Sequence, residues 1–229
     1  MLSRVGWSDW IRRAEVEPSL YGADFSRLGA QIEALMKVGC RVFHFDVGDG
    51  HFVEPVTMGP IVLQSISPIV HARGGAIDVH LMVERPAKYF EAVSAAGGDS
   101  ATFHYEAVDD VASTVAAARA QGLQAGVAFN PETEPERVAE VAGDADLVLC
   151  MAIHPGYSGQ PFREETFGRV ERLRAGLPAA IHIQVDGGVG GENIHRLRDC
   201  GATLLVAASS IFARDDPPAA YRELVEALG

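Results

Sequence analysis

The chain has 229 residues, long for an average domain and ordinary for a single α/β barrel. Apolar residues make up 48% of it and charged residues 22%, a balance that excludes a disordered chain and fits a compact domain with a large core. A net charge of −12 repels phosphodiester backbones and anionic lipid, so it argues against nucleic-acid and membrane partners, yet backbone dipoles can still hold a small phosphorylated ligand.

The opening segment, MLSRVGWSDWIRRAEV, carries charges where an export signal needs an apolar run. Ser8 is a candidate N-cap, with Trp7, Trp10 and Ile11 on the buried side of a short leading helix; residues 1–14 are therefore expected to form an N-terminal packing extension. From residue 15 to residue 229 short apolar runs alternate with amphipathic ones. The predicted strands are 16–20, 41–47, 76–81, 100–105, 124–129, 147–153, 181–185 and 203–207. Helical patterns lie between them, among them 24–38, 86–96, 108–121, 135–142, 191–200 and 218–228, with glycines at the turns. Eight strands alternating with helices predict a parallel sheet closed into a single-domain (β/α)8 TIM barrel. An open doubly wound sheet would place a Gly-rich turn after its first strand, where this chain reads PSLYGADFSRLG. Cys40, Cys150 and Cys200 stand alone without CxxC spacing, which points to a reducing, cytoplasmic compartment. No apolar stretch is long enough to span a bilayer.

In such a barrel the C-terminal strand ends line the active site. Within RVFHFDVGDGHF, alternation sends Phe43, Phe45 and Val47 one way, and Val42, His44 and Asp46 the other. The third strand adds Asp78, His80 and Met82 on one face, and the seventh adds His182, Gln184 and Asp186. Ser19 ends the first strand and Met151 the sixth. Isolated charges inside a barrel are costly, whereas a divalent metal neutralises carboxylates and takes up imidazole lone pairs. The polar face of the second strand therefore reads as part of a metal site. The glycine-rich loops HPGYSGQPF and DGGVGGEN, together with AASSIF after the eighth strand, form a candidate phosphate cup, with a short helix beginning near Ser209. The only lysines, Lys37 and Lys88, lie in helical patterns, so Schiff-base and pyridoxal phosphate chemistry have no nucleophile at a strand end.

Taken in order and spacing, PSLYGADFSRLG, FHFDVGDGHFV, IDVHLMVERP, GVAFNPET, MAIHPGYSGQPF, VDGGVGGENI and VAASSIF make the chain resemble the ribulose-phosphate 3-epimerases from about Val16 to its C-terminus. The resemblance implies a metal-dependent isomerase that inverts C3 of a ketopentose 5-phosphate, converting D-ribulose 5-phosphate to D-xylulose 5-phosphate. It implies His44, Asp46, His80 and Asp186 as ligands of one divalent ion, zinc first, with iron(II) or manganese(II) as alternatives. Asp46 and Asp186 match the two acid/base carboxylates. Ser19, His80, Met82 and Met151 match substrate contacts, and Gly156, Tyr157, Ser158, Gly159, Gly187, Gly188, Ala208 and Ser209 match the phosphate cup. A homo-oligomer is the default by the same resemblance.

Several positions depart from the family pattern. Gly48 stands where the family's DVMDG has a methionine, and Glu54-Pro55 stands for Pro-Asn. His154 and Ser158 alter NPGFGGQ, and Ala208 replaces a glycine. Glu17 occupies a usually small position, and Gln184 replaces a glutamate. These changes bear on the substrate more than on the reaction. A hexulose 6-phosphate is the second substrate, and a non-catalytic sugar-phosphate binder is the reading from another class. A decarboxylating or formaldehyde-adding relative would need a lysine in the third-strand segment, which here reads DVHLMV.

Overall fold

The computed structural model describes Ile11, residues 14–157 and residues 159–229. Eight strands run in parallel: Glu15–Pro18 (β1), Val42–Gly48 (β2), Ala76–Met82 (β3), Ser100–His104 (β4), Gln124–Phe129 (β5), Leu147–Met151 (β6), His182–Asp186 (β7) and Leu204–Ala207 (β8). Their order is β1-β8-β7-β6-β5-β4-β3-β2, and a bridge between Ser19 and His44 joins the two ends of the sheet. The helices between them are Leu28–Lys37 (α1), Pro60–His71 (α2), Phe90–Ala95 (α3), Val111–Ala120 (α4), Pro135–Val141 (α5), Glu165–Gly176 (α6) and Ile194–Asp199 (α7). After β8 come the one-turn Ser209–Phe212 (α8) and the long Pro217–Leu228 (α9). The fold is the single-domain (β/α)8 barrel that the alternating pattern predicts.

All eight predicted strands are present, with ends moved by a residue or two. The apolar runs at Leu20, Tyr105 and Ile153 continue past the ladders because those residues pack at the barrel mouth, where the chain has already turned away from its neighbour. The 24–38 pattern divides into a 3-10 turn, Phe25–Arg27, and α1. Asp24 caps the turn by accepting the Ser26 N–H.

Strand alternation divides the core into two parts. Phe43, Phe45 and Val47 face the helices, as do Cys150 and the other alternate strand residues. Fully burying one such large side chain contributes roughly 2 kcal/mol relative to leaving it in water. Inside the ring a smaller cluster contains Val42, Ala76, Leu147, Leu149, Met151 and Leu204. Ile11 joins this inner cluster; Trp7, Ser8 and Trp10, the rest of the expected leading helix, lie outside the described residues. Cys40, Cys150 and Cys200 are free thiols. Among the described residues no helix is long and apolar enough to cross a membrane.

Candidate metal centre and active site

Parallel pairing in register stacks the polar inward residues in tiers. β2 and β3 pair His44 with Asp78 and Asp46 with His80, while β6 and β7 pair Met151 with Asp186. The upper tier brings together His44, Asp46, His80 and Asp186, each offering one ligand atom within 4.8 Å of the others. Three strands thus deliver four ligand-type side chains to one point at the barrel mouth.

A lower tier orients them. His44 Nδ1 donates to Asp78 Oδ2 at 2.9 Å, which directs Nε2 upward. Asp78 also accepts from Ser100 Oγ at 2.7 Å and from the Gln184 amide at 2.8 Å. The same Gln184 amide donates to Glu17, so two departures from the family pattern are in contact with each other. A glutamate at 184 would place another anion beside Glu17 and Asp78, whereas the neutral amide donates to both. Burial, reinforced by the charge of Asp78, raises Glu17 well above the usual carboxylate range.

Does the upper tier suit a cation? His44 Nε2 is buried and makes no hydrogen bond, although Asp46 Oδ1 lies 3.2 Å away. That same oxygen is 3.1 Å from His80 Nδ1. One carboxylate oxygen therefore faces two ring nitrogens, with an orphaned lone pair between them. Two imidazole nitrogens and two carboxylates form a donor set that a divalent ion satisfies and that is hard to satisfy otherwise. The residues fit the group.

The two carboxylates differ electrostatically. Burial would raise Asp46, but the rings of His44 and His80 outweigh it and hold the group well below the usual range. Ser19 Oγ adds a hydrogen bond to Asp46 Oδ2 at 2.8 Å. Asp186 goes the other way: burial, then the charge of Asp46, pushes it up to about 7.

A cavity opens directly above. Of the expected substrate and phosphate residues, Ser19, Met82, Met151, Gly156, Tyr157, Gly159, Gly187, Gly188, Ala208 and Ser209 line it, together with Asp46 and Asp186. His80 lies fully buried beneath its wall, and Ser158 is outside the described residues. Tyr21, Ile153, Pro155, Val189 and Val206 also line the cavity; each lies inside a motif quoted above, but none was assigned a role there. The signal available for Val206 was parity: it pairs with Asp186 across β7 and β8. Gly187 and Gly188 have φ of 114° and 64°, and a Cβ on Gly188 would sit 2.9 Å from the Phe162 backbone, so the loop after β7 requires glycine there.

The space left by Gly48 is filled. A Cβ there would meet Pro55 O at 2.8 Å, Val53 Cγ2 at 3.0 Å and Thr57 Cγ2 at 3.1 Å. Thr57 Oγ1 accepts the Gly48 N–H at 2.6 Å and donates to Asp46 O at 2.8 Å, tying this loop to the site. Glu54 accepts from Tyr157 Oη at 3.1 Å, joining the loops after β2 and β6.

The pattern of known relatives agrees with this geometry. The chain matches the ribulose-phosphate 3 epimerase family over residues 15–212. It is 36% identical over 214 residues to the ribulose-phosphate 3-epimerase of Bacillus subtilis, a match covering 92% of this chain and 97% of that one. The enzyme of the same name from Escherichia coli K12 is 35% identical over 216 residues, 93% of each chain. Among solved structures, 3-hexulose-6-phosphate synthase from Salmonella typhimurium superimposes with a TM-score of 0.71 at 14% identity, covering 93% of this chain and 98% of that one, a likeness of fold alone. Matched along nearly its whole barrel, the chain belongs to the ribulose-phosphate 3-epimerase family.

Proposed function

We propose that the protein interconverts D-ribulose 5-phosphate and D-xylulose 5-phosphate by inverting C3, with Asp46 and Asp186 as its acid/base pair. The observation that carries this reading is geometric: two carboxylates from different strands, Asp46 on β2 and Asp186 on β7, belong to one ligand cluster and both line the cavity above it. His44, Asp46, His80 and Asp186 would hold a divalent ion, and the mixed nitrogen and oxygen donor set favours zinc. When bound, the ion supplies positive charge beside the substrate carbonyl and so makes the C3 hydrogen acidic. Asp46 takes the proton from one side of C3, and Asp186 returns one from the other; the roles exchange for the reverse epimer. Ser19 orients Asp46, and Met82 and Met151 give the reacting carbons an apolar wall. The glycines after β6 and β7, with Ala208 and Ser209, would receive the phosphate through backbone N–H groups. The 53–57 loop occupies the space at Gly48, which supports a pentulose rather than a longer substrate.

The test is NMR of ribulose 5-phosphate in heavy water with the Zn2+-loaded protein. Deuterium should enter C3 as xylulose 5-phosphate forms. Asp46→Asn and Asp186→Asn should each cut the rate by about 10³-fold or more. Neither exchange nor product from the loaded wild type would end the reading.

A further inference from the structure

One more histidine reaches the centre, and neither the motifs nor the mechanism above uses it. His104 ends β4, fully buried, its ring stacked on His80 with centroids 5.0 Å apart and tilted against Phe52 at 4.6 Å. Its Nε2 lies 2.8 Å from His80 Nε2, and its Nδ1 lies 3.3 Å from Glu106 Oε2. Glu106 is fixed in turn, because its Oε1 accepts the Asn130 N–H at 2.8 Å and the Thr133 hydroxyl. Since His80 Nδ1 is 3.1 Å from Asp46 Oδ1, the side chains of Asp46, His80, His104 and Glu106 form an unbroken line from the candidate metal centre to the loop after β5.

Count the hydrogens along that line. It contains three close contacts, and in each both atoms carry lone pairs once deprotonated. Two neutral imidazoles supply only two hydrogens, so one contact goes without. The contact between the two Nε2 atoms needs one hydrogen, since two bare nitrogens or two N–H groups at 2.8 Å repel. The Glu106 carboxylate, already an acceptor, draws the other onto His104 Nδ1. His80 must then supply the middle hydrogen from its own Nε2, which leaves its Nδ1 bare. The contact without a hydrogen is the one between His80 Nδ1 and Asp46 Oδ1, where a cation can take both lone pairs.

We propose that His104 and Glu106 are positioning residues that lock His80 in its Nε2–H tautomer and so present the Nδ1 lone pair to a divalent cation. The proposal rests on His80 being a metal ligand, as read above. A histidine ligand whose far nitrogen donates to a fixed acceptor is oriented and made more basic, and loss of such a partner lowers metal affinity. Here the acceptor is a second imidazole, and a carboxylate behind it decides the direction of both hydrogen bonds.

The experiment is titration of the full-length protein with Co2+, reading the dissociation constant by chelator competition and the absorption spectrum of the bound ion. It is accompanied by 15N NMR of the Zn2+-loaded wild type. His104→Phe keeps the stack against Phe52 and removes the acceptor; it should weaken Co2+ binding by roughly 10- to 100-fold and shift the spectrum. Glu106→Gln, a change at the barrel rim, should weaken binding by a smaller factor, and Glu106→Asp should recover part of the loss. The NMR should show His80 protonated at Nε2. A packing role alone would lower the melting temperature of the metal-free variants and leave the dissociation constant and spectrum unchanged. Wild-type affinity and spectrum in folded His104→Phe, or in Glu106→Gln if only that variant folds, would overturn the proposal, as would His80 protonated at Nδ1 in the loaded protein. A wild type that binds Co2+ and epimerises while the variants match it sinks the relay and leaves the proposed function intact. A wild type that binds no Co2+ sinks the metal centre, and the relay with it.

Discussion

Gly48 shows how one residue's smallness shapes the site. Its φ is ordinary, so the glycine is required for space and not for backbone freedom. Val53, Pro55 and Thr57 crowd the position, and Thr57 bonds both to its N–H and to the carbonyl of Asp46. Restoring the family's methionine by Gly48→Met must push this loop outward, because the nearest atom is a backbone oxygen at 2.8 Å. The expected cost is about 2 kcal/mol of stability, in the range of overpacked cores. Denaturant unfolding would measure it. Because Thr57 moves with the loop, kcat/KM should fall as well. A variant as stable and active as the wild type would mean that the loop repacks without cost. The pair Glu17 and Gln184 makes a related point: each is odd against the family pattern, and together they form a hydrogen bond.

At the scale of elements, Arg169 on α6 joins helix to loop. Its side chain is buried, its guanidinium lies 4.8 Å from the centre of the Phe129 ring, and it donates to the carbonyls of Asn130, Pro131 and Thr133. That loop in turn holds Glu106 through the Asn130 N–H and the Thr133 hydroxyl. Arg169→Leu would leave three part-buried carbonyls without this donor and should cost about 2 kcal/mol, as expected for hydrogen bonds to a charged group. Thermal unfolding gives the stability. If the relay is correct, the same variant should also bind Co2+ more weakly, in the direction of Glu106→Gln. The loop after β2 is held in a similar way: Asp49 accepts N–H groups from His51, Phe52 and Glu84.

For the whole molecule, the ligand cluster joins β2, β3 and β7 across the barrel mouth. An ion that binds only the folded chain stabilises it by mass action, about 2.7 kcal/mol at a hundredfold excess over its Kd. For a chain of this size that corresponds to a rise in Tm of roughly 5–10 °C. Calorimetry with Zn2+ and then with a chelator should show that rise and its reversal. An unchanged Tm would mean that the cluster holds no ion.

The sequence by itself determined the strands and their inward and outward faces, and so a set of inward polar residues; the choice of His44, Asp46, His80 and Asp186 among them came from the family resemblance. Strand alternation is a local property with a period of two, and parallel pairing in register carries it directly into space. It also exposed the unusual residues at 17, 48 and 184. Their partners were decided by the tertiary structure: Gln184 meets Glu17 from six strands away in the chain, and the 53–57 loop folds back on Gly48. His104 belongs to the same class. In the sequence it is a single histidine ending a strand; only the closed ring sets its Nε2 against that of His80 and its Nδ1 toward Glu106. Local pattern specifies which face a side chain takes, but contact across a barrel depends on how every strand is tilted and paired, and a chain read one residue at a time does not contain that.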